Sequence, residues 1–283
     1  MILVTGATGN IGRELARELD AKGARYRVFV RDAARATDLP ARAERAVGDL
    51  DEPDTLTPAF DGIGKLFLLT PGIGTAHTAR ALAAAKAAGV GHIVHVSSSH
   101  VLLDPMPAMA RWHHEREEMI RASGIPATFL RPGGFMSNAL DWTGTLRDGG
   151  YVLDPIGPGR FAPIDPADIA AVAAVVLTED DRHQGKGYAL TGDERLTVTE
   201  QVRILAETLG RRVEVRKPAT PEEVVRARFP NGAPPALAAA VTEGFMLMRA
   251  NTEGFRTDTV EQLLGRPPRT FAAWCALHAG AFR

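Results

Sequence analysis

The stretch Ile2–Val30, ILVTGATGNIGRELARELDAKGARYRVFV, decides how this chain folds. Ile2–Thr5 is a short apolar run and predicts a buried strand. Gly6–Gly12 is a glycine-rich turn. From Ile11 to Ala21 the apolar residues Ile11, Leu15 and Leu19 recur at i, i+4 and i+8, which puts them on one face of a helix. Gly23 is placed to stop that helix. Arg25–Val30 reads as a second strand. One complete βαβ unit therefore occupies about the first 30 residues.

Outward from this unit, strand and helix keep alternating. Short strands are expected at Glu44–Val47, Lys65–Leu69, His92–Val96 and Ala127–Leu130. Helices are expected at Glu52–Phe60, Thr75–Ala88 and Met109–Ala122. KLFLL and HIVHV are apolar without a polar alternation, the pattern of strands covered on both faces. Strict alternation of the two element types implies an α/β fold with a doubly wound parallel sheet, the Rossmann arrangement. After Arg131 glycine and proline crowd the chain. Residues 1–131 are thus expected to form the sheet domain, and 132–283 a smaller loop- and helix-rich C-terminal substrate lobe packed with it as one structural unit. Within that lobe helices are expected at Pro166–Leu177, Thr199–Leu209, Pro221–Arg228, Pro234–Arg249, Thr257–Leu263 and Thr270–Ala279. Strands are expected at Tyr188–Leu190 and Val213–Arg216. In such sheets ligands bind at the carboxyl ends of the strands, where the lobe is expected to lie.

Charge and composition narrow the function. With 33 basic and 34 acidic residues the net charge is −1, so no broad positive field is available to hold nucleic acid. The most apolar long stretch, Ala167–Leu177, is about half the length a bilayer requires. Met1–Val4 has neither the basic leader nor the apolar run of a signal peptide. The single cysteine, Cys275, cannot form an internal disulfide and reads as a small buried hydrophobe. A reducing, cytoplasmic setting fits. The pairs His92/His95 and His113/His114 suggest a metal at first sight. Three residues apart on a strand, however, His92 and His95 face opposite sides, so no metal site is expected.

Thr5-Gly6-Ala7-Thr8-Gly9-Asn10-Ile11-Gly12 carries the chemistry. Glycine serves three needs here: a tight turn, close approach of backbone to a pyrophosphate, and close packing of helix on strand. The amino end of the following helix offers unpaired N–H groups and the positive end of a dipole. Gly6, Thr8, Gly9, Asn10, Ile11 and Gly12 are therefore candidate dinucleotide contacts; the other reading is a structural turn that binds nothing. The spacing GxxGxxG is one residue longer at the first gap than the usual fingerprint. At the end of the second strand, where an Asp or Glu would take the 2′-hydroxyl of NAD, stands Arg31. A guanidinium pairs with the 2′-phosphate of NADP and stacks on adenine. NADP(H) is thus expected ahead of NAD(H), unless Arg31 is only an exposed strand-end charge. Asp32 can still meet the ribose, and Arg13 and Arg35 are further candidate phosphate partners. Asp49 and Leu50, after the third strand, are candidates for the adenine amine and ring. Thr70 and Pro71, after the fourth, suit the nicotinamide ribose. Each pair is equally readable as an ordinary strand-end turn. Ser97, after the fifth strand, completes the candidate cofactor contacts.

Several motifs recur in a fixed order: TGATGNIG at Thr5–Gly12, VRD at Val30–Asp32, GDL at Gly48–Leu50 and LLTP at Leu68–Pro71. VSSS at Val96–Ser99, LRPGGFMSN at Leu130–Asn138, DIA at Asp168–Ala170 and LLGRPPRTF at Leu263–Phe271 follow. As a series they resemble the NmrA-like subgroup of atypical short-chain dehydrogenase/reductases over essentially the whole chain. That subgroup includes quinone reductases, triphenylmethane-dye reductases and non-enzymatic NADP sensors. Most short-chain dehydrogenases use a Tyr-x-x-x-Lys pair after the fifth strand to move the carbonyl proton. Here no tyrosine or lysine lies between Ser97 and Leu130, and Ser98 matches the usual catalytic serine only loosely. His114 stands about where the resembled quinone reductases carry a histidine, and it shares a helix face with Glu118. It is the candidate catalytic residue, as a partner of the nicotinamide or as a proton donor; the bland reading is an exposed His–Glu pair. His100 and His113 have weaker claims.

Phe135, Met136, Trp142 and Tyr151 fall in the loop-rich stretch after the sixth strand. Phe135, Trp142 and Tyr151 are candidate walls for a planar acceptor, or else a seam between lobes. Two main functions follow from these residues, with a third beside them. One is an NAD(P)H-dependent reductase passing hydride to a quinone, a dye or a conjugated carbonyl, acceptors whose reduced anion is delocalised. The other is a redox sensor that binds the cofactor and signals to a partner protein. A tailoring enzyme acting on one specific ketone is a third.

Overall fold

A computed structural model describes residues 1–283, with the exception of the Arg35 side chain. The phosphate contact expected of Arg35 therefore lies outside the described residues. In chain order the first half runs β1 (Ile2–Val4), α1 (Asn10–Ala21), β2 (Tyr26–Val30), β3 (Glu44–Val47), α2 (Leu56–Phe60) and β4 (Lys65–Leu68). It continues with α3 (Ala76–Ala87), β5 (His92–Val96), α4 (Ala108–Ala122), β6 (Ala127–Pro132), α5 (Thr143–Gly149) and β7 (Tyr151–Leu153). Then come α6 (Pro166–Thr178), β8 (Gly187–Leu190), α7 (Val198–Leu209), β9 (Glu214–Arg216) and α8 (Pro221–Arg228). The chain closes with α9 (Pro235–Ala250), α10 (Thr259–Leu264) and α11 (Phe271–His278).

Seven strands form one sheet in the order β3-β2-β1-β4-β5-β6-β8. Leu3 of β1 stands in register with Arg27 of β2 on one side and Leu66 of β4 on the other, both parallel. The strand order reverses between β1 and β4, the place where sheets of this kind bind ligands at the carboxyl ends of the strands. At the far edge the amides of Phe129 and Gly133 donate to the carbonyls of Lys186 and Leu190, so β8 also runs parallel. Leu3, Leu66, Leu68, Ile93 and Phe129 from the strands pack with Phe60, Ala81, Ala85 and Ile120 from the helices, all buried. The parallel, helix-covered sheet is the doubly wound fold that the alternation of elements implied.

The chain divides into two compact units. The first comprises Met1–Val101, Ala110–Pro132 and Pro166–Ala189; the second comprises Leu102–Met109, Gly133–Asp165 and Leu190–Arg283. The expected boundary, with all of residues 132–283 in one lobe, is corrected by the segment Pro166–Ala189. α6 is buried along almost its whole surface, which a helix apolar on every side requires. It packs against α1, and β8 extends the sheet beside β6. Local composition after Arg131 could not reveal that the chain returns to the sheet.

The second unit has its own core: Met136, Leu146, Val152, Val202, Leu205, Phe271, Trp274 and Cys275 are buried together. Burial, with the Glu194 charge, pushes the Cys275 thiol up to about 12, so it stays protonated. Two elements were not anticipated here. α5 ends on Gly150 at φ 68°, the left-handed cap glycine favours. β7 pairs in parallel with β9, Tyr151 opposite Glu214. The glycines that suggested loop are the caps and joints of these short elements.

Candidate functional site

β1 leads directly into the phosphate turn. Thr5, buried at the end of β1, accepts a hydrogen bond from the Leu69 amide at 2.8 Å and donates to the Leu69 carbonyl at 2.9 Å. It ties the ends of β1 and β4 together where the strand order reverses. The sequence marked Thr5 as part of the motif without indicating this role. Gly6 has φ 65°, a conformation costly for any side chain. The Gly9 amide donates to the Gly6 carbonyl at 3.0 Å and closes the turn. A Cβ on Gly12 would sit 2.2 Å from the Gly6 carbonyl oxygen, so the helix approaches the turn as closely as backbone allows.

α1 then begins with no side-chain cap and no acidic residue in its first turn. Gly9 and Asn10 are exposed, Thr8 is half-buried, and Ile11 and Gly12 are buried. The first-turn N–H groups thus have no side-chain acceptor, and the positive end of the helix dipole is left for an anion. Ile11 anchors the helix through its side chain and has only its backbone to offer a ligand.

Arg31 is exposed at the end of β2 and forms no hydrogen bond or ion pair among the described residues. Asp32 turns its carboxylate to the Ala34 amide at 2.9 Å and caps its own loop. Arg13 pairs with Asp38 at 2.9 Å. Asp49 accepts from the Asp51 amide at 3.0 Å, while Thr55 holds the Asp49 backbone. Leu50 is 6% exposed and belongs to the sheet core; it has little surface to offer an adenine ring. Thr70 is buried with its hydroxyl unpartnered, and Pro71 beside it is exposed. Ser97 is likewise buried, beside the Glu117 carboxylate that it helps to hold ionised. The sheet therefore brings Gly6–Gly12, Arg31, Asp49, Thr70, Pro71 and Ser97 to one edge, the carboxyl ends of β1 to β5.

α4 follows β5 where a Tyr–Lys pair would otherwise lie. His114 is exposed on it, and Glu118 pairs with Arg121 at 2.5 Å. His113 is half-buried with Nδ1 unpartnered; burial, then the neighbouring Arg116 charge, hold it down at about 4. His95, fully buried behind it, is held at about 3 by burial and by the charges of His113 and Arg116. His100 joins the Ser98 hydroxyl at 3.1 Å. Glu117 is buried and takes two bonds from Arg131, at 2.9 and 2.6 Å, and one from Arg121 at 2.7 Å. Burial alone would raise its carboxyl; the Arg131 hydrogen bonds and charge outweigh it and hold Glu117 at about 2. Arg116 donates to the carbonyls of Gly74 and Gly72. Arg116 and Glu117 of α4 were not anticipated, because spacing on α4 does not show which charges turn inward, nor that Arg131 of β6 meets Glu117.

A family model described as NAD(P)H-binding matches residues 6–180, the span that holds all of this edge. The chain belongs to the NAD(P)H-binding family. It is 38% identical over 285 residues to an NAD(P)H azoreductase of Xenophilus azovorans, covering 100% of this chain and 99% of that one. An NADPH-dependent quinone oxidoreductase of Escherichia coli, solved with NADPH, superimposes with a TM-score of 0.84 at 29% identity, covering 98% and 99% of the two chains. The triphenylmethane reductase of Citrobacter sp., solved with NADP(H), gives 0.80 at 26% identity and the same coverage. These kinships place the chain among the NAD(P)H-dependent oxidoreductases.

The residues present fit the family's cofactor. The first turn of α1 carries no side-chain cap and no acidic residue, and Thr70 carries an unpartnered buried hydroxyl at the same edge. Among the described residues no group of three His, Cys, Asp or Glu side chains is placed to share a metal, and no helix is long and apolar enough to cross a membrane. In the second unit Phe135 and Trp142 are partly buried, and Met136 is in the core. Tyr151 carries the Arg216 guanidinium 4.1 Å over its ring, so one face is covered.

Proposed function

We propose that this protein is an NADPH-dependent reductase of planar, electron-poor acceptors of the quinone or azo-dye class. The observation that carries the reading is the α4 position after β5, which has neither tyrosine nor lysine, in a chain whose phosphate turn is intact. A ketone leaves a localised alkoxide that needs a strong acid partner; a quinone leaves a delocalised anion that depends on one far less. When bound, NADPH supplies the hydride, and one proton completes the two-electron reduction of the acceptor. The amino end of α1 holds the pyrophosphate, Arg31 takes the 2′-phosphate, Asp49 meets the adenine amine, and Thr70, Pro71 and Ser97 position the nicotinamide half. Phe135, Trp142 and Tyr151 are assigned to the acceptor. Orientation of two flat molecules supplies most of the rate.

For the proton we assign His114. His113, held at about 4 by burial, is neutral at pH 7 and a poor acid there. The testing experiment follows NADPH absorbance with a panel of quinones and azo dyes, and cofactor fluorescence in the same samples. Binding with turnover supports the reductase. Binding without turnover over the whole panel overturns it in favour of a cofactor sensor.

A further inference from the structure

Arg116 stands on α4 yet reaches the loop after β4. It is 4% exposed. Its Nε donates to the Gly74 carbonyl at 2.8 Å and one terminal nitrogen donates to the Gly72 carbonyl at 2.7 Å. No carboxylate pairs with it among the described residues; Glu117, the next residue, is taken by Arg131 and Arg121. A buried guanidinium is costly to desolvate unless its donors are used well. Here they are used on the backbone of a short loop.

That loop would be loose without it. Pro71, Gly72 and Ile73 are exposed. Gly72 and Gly74 have φ of 70° and 84°, and a Cβ on either would meet nothing within 4 Å. On the other side the His77 ring nitrogen lies a distant 3.4 Å from the Pro71 carbonyl. Two glycines in open space carry high conformational freedom. Two charge-assisted bonds from one planar fork remove much of it.

We infer that Arg116 is a positioning residue of this enzyme: by clamping the carbonyls of Gly72 and Gly74, it sets the loop that presents Thr70 and Pro71 to the nicotinamide half of the cofactor. The inference rests on the cofactor placement proposed above. Arg116 touches neither cofactor nor acceptor and acts only through the loop. Lysine, with a single ammonium, cannot bridge both carbonyls in the same way.

The test compares two ligands by titration calorimetry: NADPH, and adenosine 2′,5′-bisphosphate, which lacks the nicotinamide half. Arg116→Gln is expected to weaken NADPH about tenfold or more, in line with the loss of two charge-assisted bonds. Bisphosphate affinity should stay within about twofold, and KM for NADPH should rise more than kcat falls. Arg116→Lys should recover part of the loss. Equal weakening of both ligands, or of neither, overturns the inference. If Arg116→Gln does not fold, Gly72→Ala, strained at its positive φ, is expected to show the same selective loss, and an unselective loss counts against the clamp. Hydrogen exchange without any cofactor separates this inference from the cofactor reading. In Arg116→Lys, exchange should quicken at residues 72–75 and little elsewhere; unchanged loop exchange overturns the clamp even if NADPH binds, and faster loop exchange upholds it even if NADPH does not.

Discussion

At the scale of single residues, the roles proposed for Arg31 and Gly12 toward the cofactor differ, and the difference is measurable. Arg31 is exposed and free of described partners, so its removal leaves the fold alone. Arg31→Glu is expected to weaken NADPH by about 10- to 100-fold, the range of a charged hydrogen bond lost and a like charge introduced. NADH should change little, as fluorescence titration of both cofactors will show; equal losses would withdraw Arg31 from the 2′-phosphate. At Gly12 no side chain fits within 2.2 Å of a carbonyl oxygen. Gly12→Ala should therefore weaken both cofactors alike and lower the melting temperature. His114 belongs to this scale too. Exposed on α4, it can be replaced by alanine without loss of stability, and His114→Ala is expected to lower kcat with Tm unchanged. If kcat is unaltered at every pH, the proton comes from water.

At the scale of elements, α6 shows how burial overrides local texture. Its sequence PADIAAVAAVVLT is apolar on every side, and Ile169 and Val172 are fully buried. Ile169→Ala should destabilise the protein by about 2–5 kcal/mol, as large-to-small changes in packed cores do. Urea denaturation measures this; a loss under about 1 kcal/mol would mean that α6 is not a core helix of the sheet unit. The phosphate turn, α1 and β2 were readable from residues 2–30 because the hydrophobic period switches cleanly between strand and helix. α6 was readable as a helix, but its return to the sheet unit was not, since no local pattern encodes which neighbour a fully apolar helix chooses. α4 was readable as well. That Arg116 and Glu117 turn inward while His114 and Glu118 turn outward depends on partners outside the helix, Arg131 of β6 and the loop after β4, which no spacing within α4 encodes.

At the scale of the whole molecule, buried ionisable groups of the sheet unit act in one direction on acid stability. His92 is held at about 4, chiefly by burial with a contribution from Lys65; His113 also stands at about 4 and His95 at about 3. Each lies below the usual imidazole value of 6.5, so unfolding takes up protons as pH falls below about 6.5. Glu117, at about 2 against an ordinary 4.5, adds to the effect below about pH 4.5. Their stabilising contribution is present above the unfolded values and is lost as pH falls through the folded ones. The denaturation midpoint is expected to be insensitive to these groups above about pH 7 and to drop between about pH 6.5 and 4, with up to about 1.4 kcal/mol per pH unit for each proton taken up. A midpoint that rises on acidification in that window would contradict the burial of these histidines.

The sequence by itself determined the fold class, the glycine-rich turn between β1 and α1, and the strand ends that share one edge of the sheet. These depend on hydrophobic period, on glycine spacing and on strand ends, all local quantities fixed within about 30 residues of one another. The absence of the Tyr–Lys pair was equally plain. Only the tertiary structure decided that Thr5 bridges β1 and β4, that Leu50 is core, that Pro166–Ala189 belongs with the sheet, and that Arg116 holds the loop after β4. Each is a contact between elements separated along the chain, and long-range packing, rather than local preference, determines which polar groups find partners inside a fold.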